Sequence, residues 1–320
     1  MWKIFDIDIP ENSKIQAYVS PDKSDYKMPV TIINGQHPGK TVLILAGIHS
    51  CEWVGTPTTI RLAQQIKPEE LQGRLILVHM VNVTGFWNRR IRFMPEDGKN
   101  LNDIFPANHD QPTLSDRIAI WLEEEVYPHT DFIIDLHTGA PGQSLRPLLF
   151  FSMAPGVRDF SFAAAKCVNV PYLIESRSKS GPYSYAAWAH NIPGMLIERG
   201  CGGFCYDSWV QADIADCKRV LQHLDVYTGE CDAVTEKQQL ISPMEDLLAD
   251  AEGIWYPAIE VDQVVKKGQL LGHLEDVWGN MVKEYFAEED GVILYYTTAL
   301  PIKPDYMLIS YGAFRKMTEI

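Results

Sequence analysis

At 320 residues the chain can form one large domain or two ordinary ones, and hydrophobic residues at 46% supply ample material for a buried core. Its 28 Lys and Arg stand against 42 Asp and Glu, a net charge of −14, which opposes phosphate backbones and anionic lipid and so excludes nucleic acid and membrane as expected partners. Apolar runs such as Val42 to Ile48 and Phe132 to Leu136 fall far short of the roughly 20 residues that a membrane-spanning helix requires. The opening stretch, Met1 to Asp8, carries acids where an export signal would be cationic and then apolar. The six cysteines are scattered, without zinc-ribbon spacing or the density of a disulfide scaffold, and point to reduced thiols in a cytoplasmic protein.

From Thr41 to about Ile197, short apolar runs alternate with longer segments of helical period, the pattern of an α/β domain with a mixed, mostly parallel sheet flanked by helices. The expected strands are Val42–Ile48, Leu75–Val81, Phe132–Leu136, Leu148–Ser152 and Met195–Ile197. Helices are expected over Thr56–Ile66, opened by Pro57, over Leu114–Val126 behind a cap at Thr113, and over Ala212–Val226. The alternation fades around Thr228 to Asp246, placing a boundary near Glu236 between a catalytic domain at 1–236 and a β-rich accessory domain at 237–320. From Gly253 to Ile293 the sequence resembles the small barrel-sandwich fold of biotinyl and lipoyl carriers, which hold their cofactor on a lysine at a hairpin tip. The corresponding tip reads Glu275-Asp276-Val277-Trp278-Gly279-Asn280, without a lysine, so this segment is expected to be a β module packed beside the catalytic domain.

Chemistry-bearing residues gather at three expected strand ends. The first apolar run leads into His49-Ser50-Cys51-Glu52, the second ends in His137-Thr138-Gly139, and the third in Glu198-Arg199-Gly200. Ligands of an open α/β sheet bind beyond the carboxyl ends of its strands, so these groups can converge although far apart in sequence. Two imidazoles and one carboxylate, His49, Glu52 and His137, form the three-ligand set of a catalytic zinc with an open position. Glu198 then has the task of a general base towards metal-activated water.

Each residue has a plainer reading: either histidine could be a hydrogen-bonded strand-end residue, and Glu198 could simply pair with Arg199. Asp135 could orient His137 or serve structure alone. Cys51 as a ligand would close the open position, and Cys201 and Cys205 read as free thiols in a glycine-rich turn.

Taken together, the His-x-x-Glu, Leu136-His137-Thr138-Gly139 and Glu198-Arg199-Gly200 segments resemble the succinylglutamate desuccinylase and aspartoacylase branch of the zinc carboxypeptidase-like superfamily. Family members also carry Arg-x-x-Pro-x-Asp-Gly-x-Asn-Leu-Asn-Arg, and this chain matches it from Arg92 through Asn102 but has Asp103 in the last place. The resemblance implies a zinc carboxypeptidase-like fold, one Zn2+ per chain, Arg92 polarising the scissile carbonyl, and Asn102 contacting substrate. In the family the arginine at the place of Asp103 clamps a substrate carboxylate, whereas a carboxylate facing the pocket would favour an ammonium or neutral group.

The expected function is zinc-dependent deacylation of a small N-acylated amine or amino-acid derivative. The alternatives are a metallocarboxypeptidase acting on short peptides, against which Asp103 argues, and a non-catalytic zinc-binding or assembly protein. No Gly-x-Ser-x-Gly elbow supports serine hydrolase chemistry. Assembly into a homo-oligomer is left open by the sequence.

Overall fold

Strands covered on both faces read as near-continuous apolar runs, and the central strands of this protein do so apart from their ends and the buried Asp135. The computed structural model describes residues 1–22 and 24–317. In the strand His37–Ala46 every residue from Val42 onward is buried, as is all of Phe132–His137. Alternate side chains enter two cores. Val42, Ile44, Phe132, Ile134, Met195 and Ile197 meet the helices Gly55–Gln65, Arg158–Ala165 and Asp207–His223 on one face. On the other, Leu43, Leu45, Ile133 and Leu196 meet the helices Leu114–Trp121 and Pro182–His190.

Among the described residues the result is a large mixed sheet of 13 strands, whose central part lies between two helical layers. At its centre Gln72–Val78, His37–Ala46, Phe132–His137 and Gly194–Glu198 run parallel in that spatial order. Register places Glu198 beside His137 and Ala46 beside Leu136, so the carboxyl ends of three neighbouring strands lie in one row. Gly194–Glu198 pairs antiparallel with Leu148–Ser152, and Tyr172–Ser176 continues parallel to the latter. On the other side Met28–Asn34 and Ser13–Val19, in a region where the alternation gave no strand, extend the sheet antiparallel.

The expected helices form with shifted ends. Pro57 lies in the first turn of Gly55–Gln65. This helix lies so close to the site-bearing strands that a Cβ on Gly55 would fall 3.0 Å from Leu136 Cβ and 3.1 Å from Ala46 Cβ, so a larger residue there would have to displace them by a few tenths of an ångström. Asp116 accepts from both the N–H and the hydroxyl of Thr113, fixing the start of the next helix, whose last turn widens so that Tyr127 N–H bonds Leu122 O. The third begins at Asp207 rather than Ala212, because Tyr206 and Trp209 pack edge to face with ring centroids 4.6 Å apart and secure its first turn.

The C-terminal segment is joined to the catalytic sheet by backbone hydrogen bonds. Gln239–Leu248 starts just past the expected boundary, pairs parallel with Tyr172–Ile174, and then continues antiparallel to Met307–Arg315. A smaller four-stranded antiparallel sheet faces it around Trp255, Leu271, Leu274, Ile293 and Leu308. The expected carrier-type tip is a hairpin turn between Leu270–Glu275 and Met281–Phe286, in which Asp276 accepts from the N–H groups of Trp278 and Asn280. Lys283 lies past it and pairs with Asp250.

Candidate active site

The first strand hands over to the site through Gly47, whose φ of +69° lets the chain turn sharply into His49. Glu52 N–H bonds His49 O, so His49 and Glu52 share one turn and face the same space. His49 Nδ1 lies 2.7 Å from Glu52 Oε1, and His137 Nδ1 lies 3.0 Å from Glu52 Oε2. All three residues are buried, and one ligand atom from each lies within 4.8 Å of the others, a group that could hold a metal ion. Cys51 is not among them, and burial pushes its thiol up to about 11, which keeps it a neutral core residue.

The chemistry of this donor set fits a divalent cation. Burial opposes a charged Glu52, but the two imidazoles outweigh it and hold the carboxyl well below its usual range. Burial likewise opposes a charged His137, yet Asp135 and Glu52 keep that imidazole well above its ordinary value. Proton or cation, positive charge is drawn between these groups. Asp135 is fully buried, and its Oδ1 stands 3.3 Å from His137 Nε2, an ion-pair distance without an aligned hydrogen bond. Asp135 therefore backs His137 from the side away from Glu52, as carboxylates that orient metal-binding imidazoles do.

Glu198 does not pair with Arg199. The Arg199 side chain turns to the helix Asp207–His223, where Nε donates to Asp213 Oδ1 at 2.7 Å and Nη2 contacts Asp216. Arg199 N–H meanwhile bonds His137 O, tying the two strand ends together. Glu198 is left with a buried Oε2 that has no hydrogen-bond partner. Burial first, then the nearby Glu52 carboxylate, push its carboxyl up to about 8, while His137 and Arg92 pull it down.

His49, Glu52, His137, Glu198, Arg92 and Asn102 all line one cavity of 400 Å³. Asn102 offers a buried Oδ1 without a partner. Arg92 reaches the cavity from a left-handed backbone, φ +67°, a conformation that costs a non-glycine residue of the order of 1 kcal/mol. Asp103 does not line the cavity as expected of a substrate contact: it is exposed, and its carboxylate accepts from Asn100 Nδ2 at 2.7 Å. A larger cavity of 590 Å³ surrounds Tyr127, Phe160 and Ile192, and none of the candidate residues lines it.

Other lining residues gave no signal in the sequence reading. Ser176 ends the strand Tyr172–Ser176, and Ser178 and Ser180 follow it in a serine-rich run whose position at a strand end is the cue that marks them. Asp246, Tyr295 and Met307 come from the C-terminal segment, so that segment forms part of the cavity wall.

A family model for the succinylglutamate desuccinylase/aspartoacylase catalytic domain matches residues 38–224. An N-alpha-acetyl-L-2,4-diaminobutyric acid deacetylase from Halomonas elongata is 25% identical over 302 residues, covering 90% of this chain and 87% of the relative. Among solved structures, a product-bound ectoine utilization protein from Ruegeria pomeroyi is 23% identical, with a TM-score of 0.85 over 96% of this chain and 97% of that one. A succinylglutamate desuccinylase/aspartoacylase from Rhodobacter sphaeroides is 22% identical, with a TM-score of 0.84 over 97% and 98%.

A carboxyl whose folded-state pKa is raised costs stability as pH climbs from its unfolded value to its folded one. In metal-free protein, Glu198→Gln removes that cost. The stability gap in favour of the variant is expected to open above the ordinary carboxylate range and to widen as pH rises towards about 8, as read from denaturant unfolding at several pH values.

Proposed function

Because the chain belongs to the succinylglutamate desuccinylase/aspartoacylase family, we propose that it is a zinc-dependent amidohydrolase that removes the acyl group from a small N-acylated amine or amino-acid derivative. The observation that carries this reading is the pairing of a three-donor group with a separate carboxylate, Glu198, on the neighbouring strand end, whose Oε2 is buried without a partner. A site that only bound metal would need the donors and would have no use for Glu198 in that place, which argues against the non-catalytic reading.

His49, Glu52 and His137 would hold the zinc, which supplies Lewis acidity to the substrate carbonyl and makes water acidic enough to attack near neutral pH. Arg92 places its guanidinium where negative charge develops on the carbonyl oxygen. Glu198 accepts a proton from the attacking water as the new C–O bond forms, then returns it to the nitrogen as the C–N bond breaks, leaving a carboxylate and a free amine. Its burial makes it a stronger base than an exposed glutamate, and the nearby Arg92 guanidinium favours its ionised form. Asn102 Oδ1 is a free acceptor for a donor on the substrate.

For the amine half, we propose an N-acetylated diamine or diamino acid. The Halomonas relative is named for such a substrate. Asp246, at the exposed rim of the cavity, is the lining carboxylate outside the metal and base pair, and it takes the place that Asp103 was expected to fill in favouring an ammonium group. We further propose that residues 1–236 act as the catalytic unit and 237–320 as an accessory unit that walls the site, restricting it to small substrates in a carboxypeptidase-like frame. The six cysteines are free, in keeping with a proposed cytoplasmic setting.

Glu198→Gln is expected to keep its metal and lose about 10²- to 10⁴-fold in kcat, measured with metal content on the same sample. Near-normal turnover would remove Glu198 from the mechanism. In a substrate panel, N-acetyl-diaminobutyrate should be preferred over N-acetylaspartate, and Asp246→Asn should narrow that preference about tenfold through KM. A clear preference for the dianionic compound contradicts the proposed substrate class.

A further inference from the structure

Asp103 departs from the family motif and stands outside the cavity, yet it is tied to the site by a chain of hydrogen bonds. Asn100 Nδ2 donates to Asp103 Oδ2 at 2.7 Å, and Asn100 Oδ1 lies 2.9 Å from His49 Nε2. An amide can be turned either way, but here both ends constrain it. A carboxylate can only accept, so the NH2 group must face Asp103. On the other side the backbone N–H of Asn102, which can only donate, lies 3.1 Å from Oδ1. With the carbonyl of Asn100 thus directed at His49, Nε2 must carry the proton, and the neutral ring presents its lone pair at Nδ1, the nitrogen 2.7 Å from Glu52.

We propose that Asp103 is a positioning residue that acts through Asn100 to lock the Nε2–H tautomer of His49 and aim its Nδ1 lone pair at the metal position. The inference rests on the reading of His49, Glu52 and His137 as metal ligands. The competing explanation is a local turn: Asp103 N–H bonds Asn100 O, so the side-chain contact could merely brace a loop. Two facts favour the relay. Asn100 is buried rather than on the loop surface, and its amide bonds Asp103 on one side and the buried His49 on the other. The arginine that the family motif has in this place could not receive the Asn100 NH2, because guanidinium has no acceptor.

The test is zinc affinity by competition with a chelating dye for the full chain, with the His49 tautomer followed by two-bond 1H–15N NMR in the zinc-loaded protein and folding checked by circular dichroism. Asp103→Ala should weaken zinc binding about 10- to 100-fold and broaden or lose the protonated Nε2 signal of His49. The double variant Asn100→Asp with Asp103→Ala should recover affinity to within a few-fold of wild type, since a carboxylate at 100 accepts directly from Nε2–H. A loop-bracing role would not be rescued by that change, so a double variant as weak as Asp103→Ala overturns the proposal. So does an Asp103→Ala protein with wild-type affinity and tautomer. Wild-type protein that takes up no zinc would instead overturn the functional reading, and this inference with it.

Discussion

Glu52 is a carboxylate buried among two imidazoles, and the rest of the site is arranged around that contact. A charge of this kind is costly away from water unless positive groups surround it. Both oxygens of Glu52 face an imidazole Nδ1, and Oε2 also accepts the backbone N–H of Thr138 at 3.0 Å. The far nitrogen of each ring faces an oxygen in turn, Asn100 for His49 and Asp135 for His137. Each ring is thereby held from both sides. Such a set is rigid before any ion enters, which lowers the cost of ordering it.

That rigidity originates in sheet register. His37–Ala46, Phe132–His137 and Gly194–Glu198 are neighbours, so the side chains at their ends are fixed by backbone pairing to within one strand spacing. The pair of Arg199 with Asp213 and Asp216 adds a second anchor, binding the Glu198 strand end to the helix behind it and leaving Glu198 free on the cavity side. The C-terminal segment completes the cavity. Gln239–Leu248 leaves the catalytic sheet as one of its own strands and brings Asp246 to the rim, while Glu175 joins the two parts through Ser242 at 2.6 Å and Arg315 at 3.0 Å. That wall is hydrogen-bonded into the same sheet that carries His137 and Glu198.

The strand ends were legible because fully buried strands leave near-continuous apolar runs, and a polar residue directly after such a run must lie at the sheet edge. His49, His137 and Glu198 follow that rule, and Glu52 joins them through the turn in which its N–H bonds His49 O. Arg92 and Asn102 sit in a polar loop that local chemistry marks only as surface, and it was the resemblance to a family motif that singled them out. Asp103 shows the limit of such transfer: the position matched, but the carboxylate turned to Asn100 instead of the cavity. Asp246 and Tyr295 were illegible for a different reason. They lie on strands of a segment far along the chain, Asp246 on a partly exposed one and Tyr295 on a mostly buried one, and nothing in a period of two tells which face of a strand will meet another part of the protein. The start of the helix at Asp207 was missed because the contact of Tyr206 with Trp209 overrides the loop-like glycines before it.

The central claim is that Glu52, shared by His49 and His137, is the core of a metal centre. Elemental analysis of purified wild-type protein beside Glu52→Gln, which keeps the shape and removes the charge, tests it most directly. About one zinc per chain is expected in the wild type and little or none in a folded Glu52→Gln protein. A wild type without metal, or a variant loaded to the same level, would contradict it.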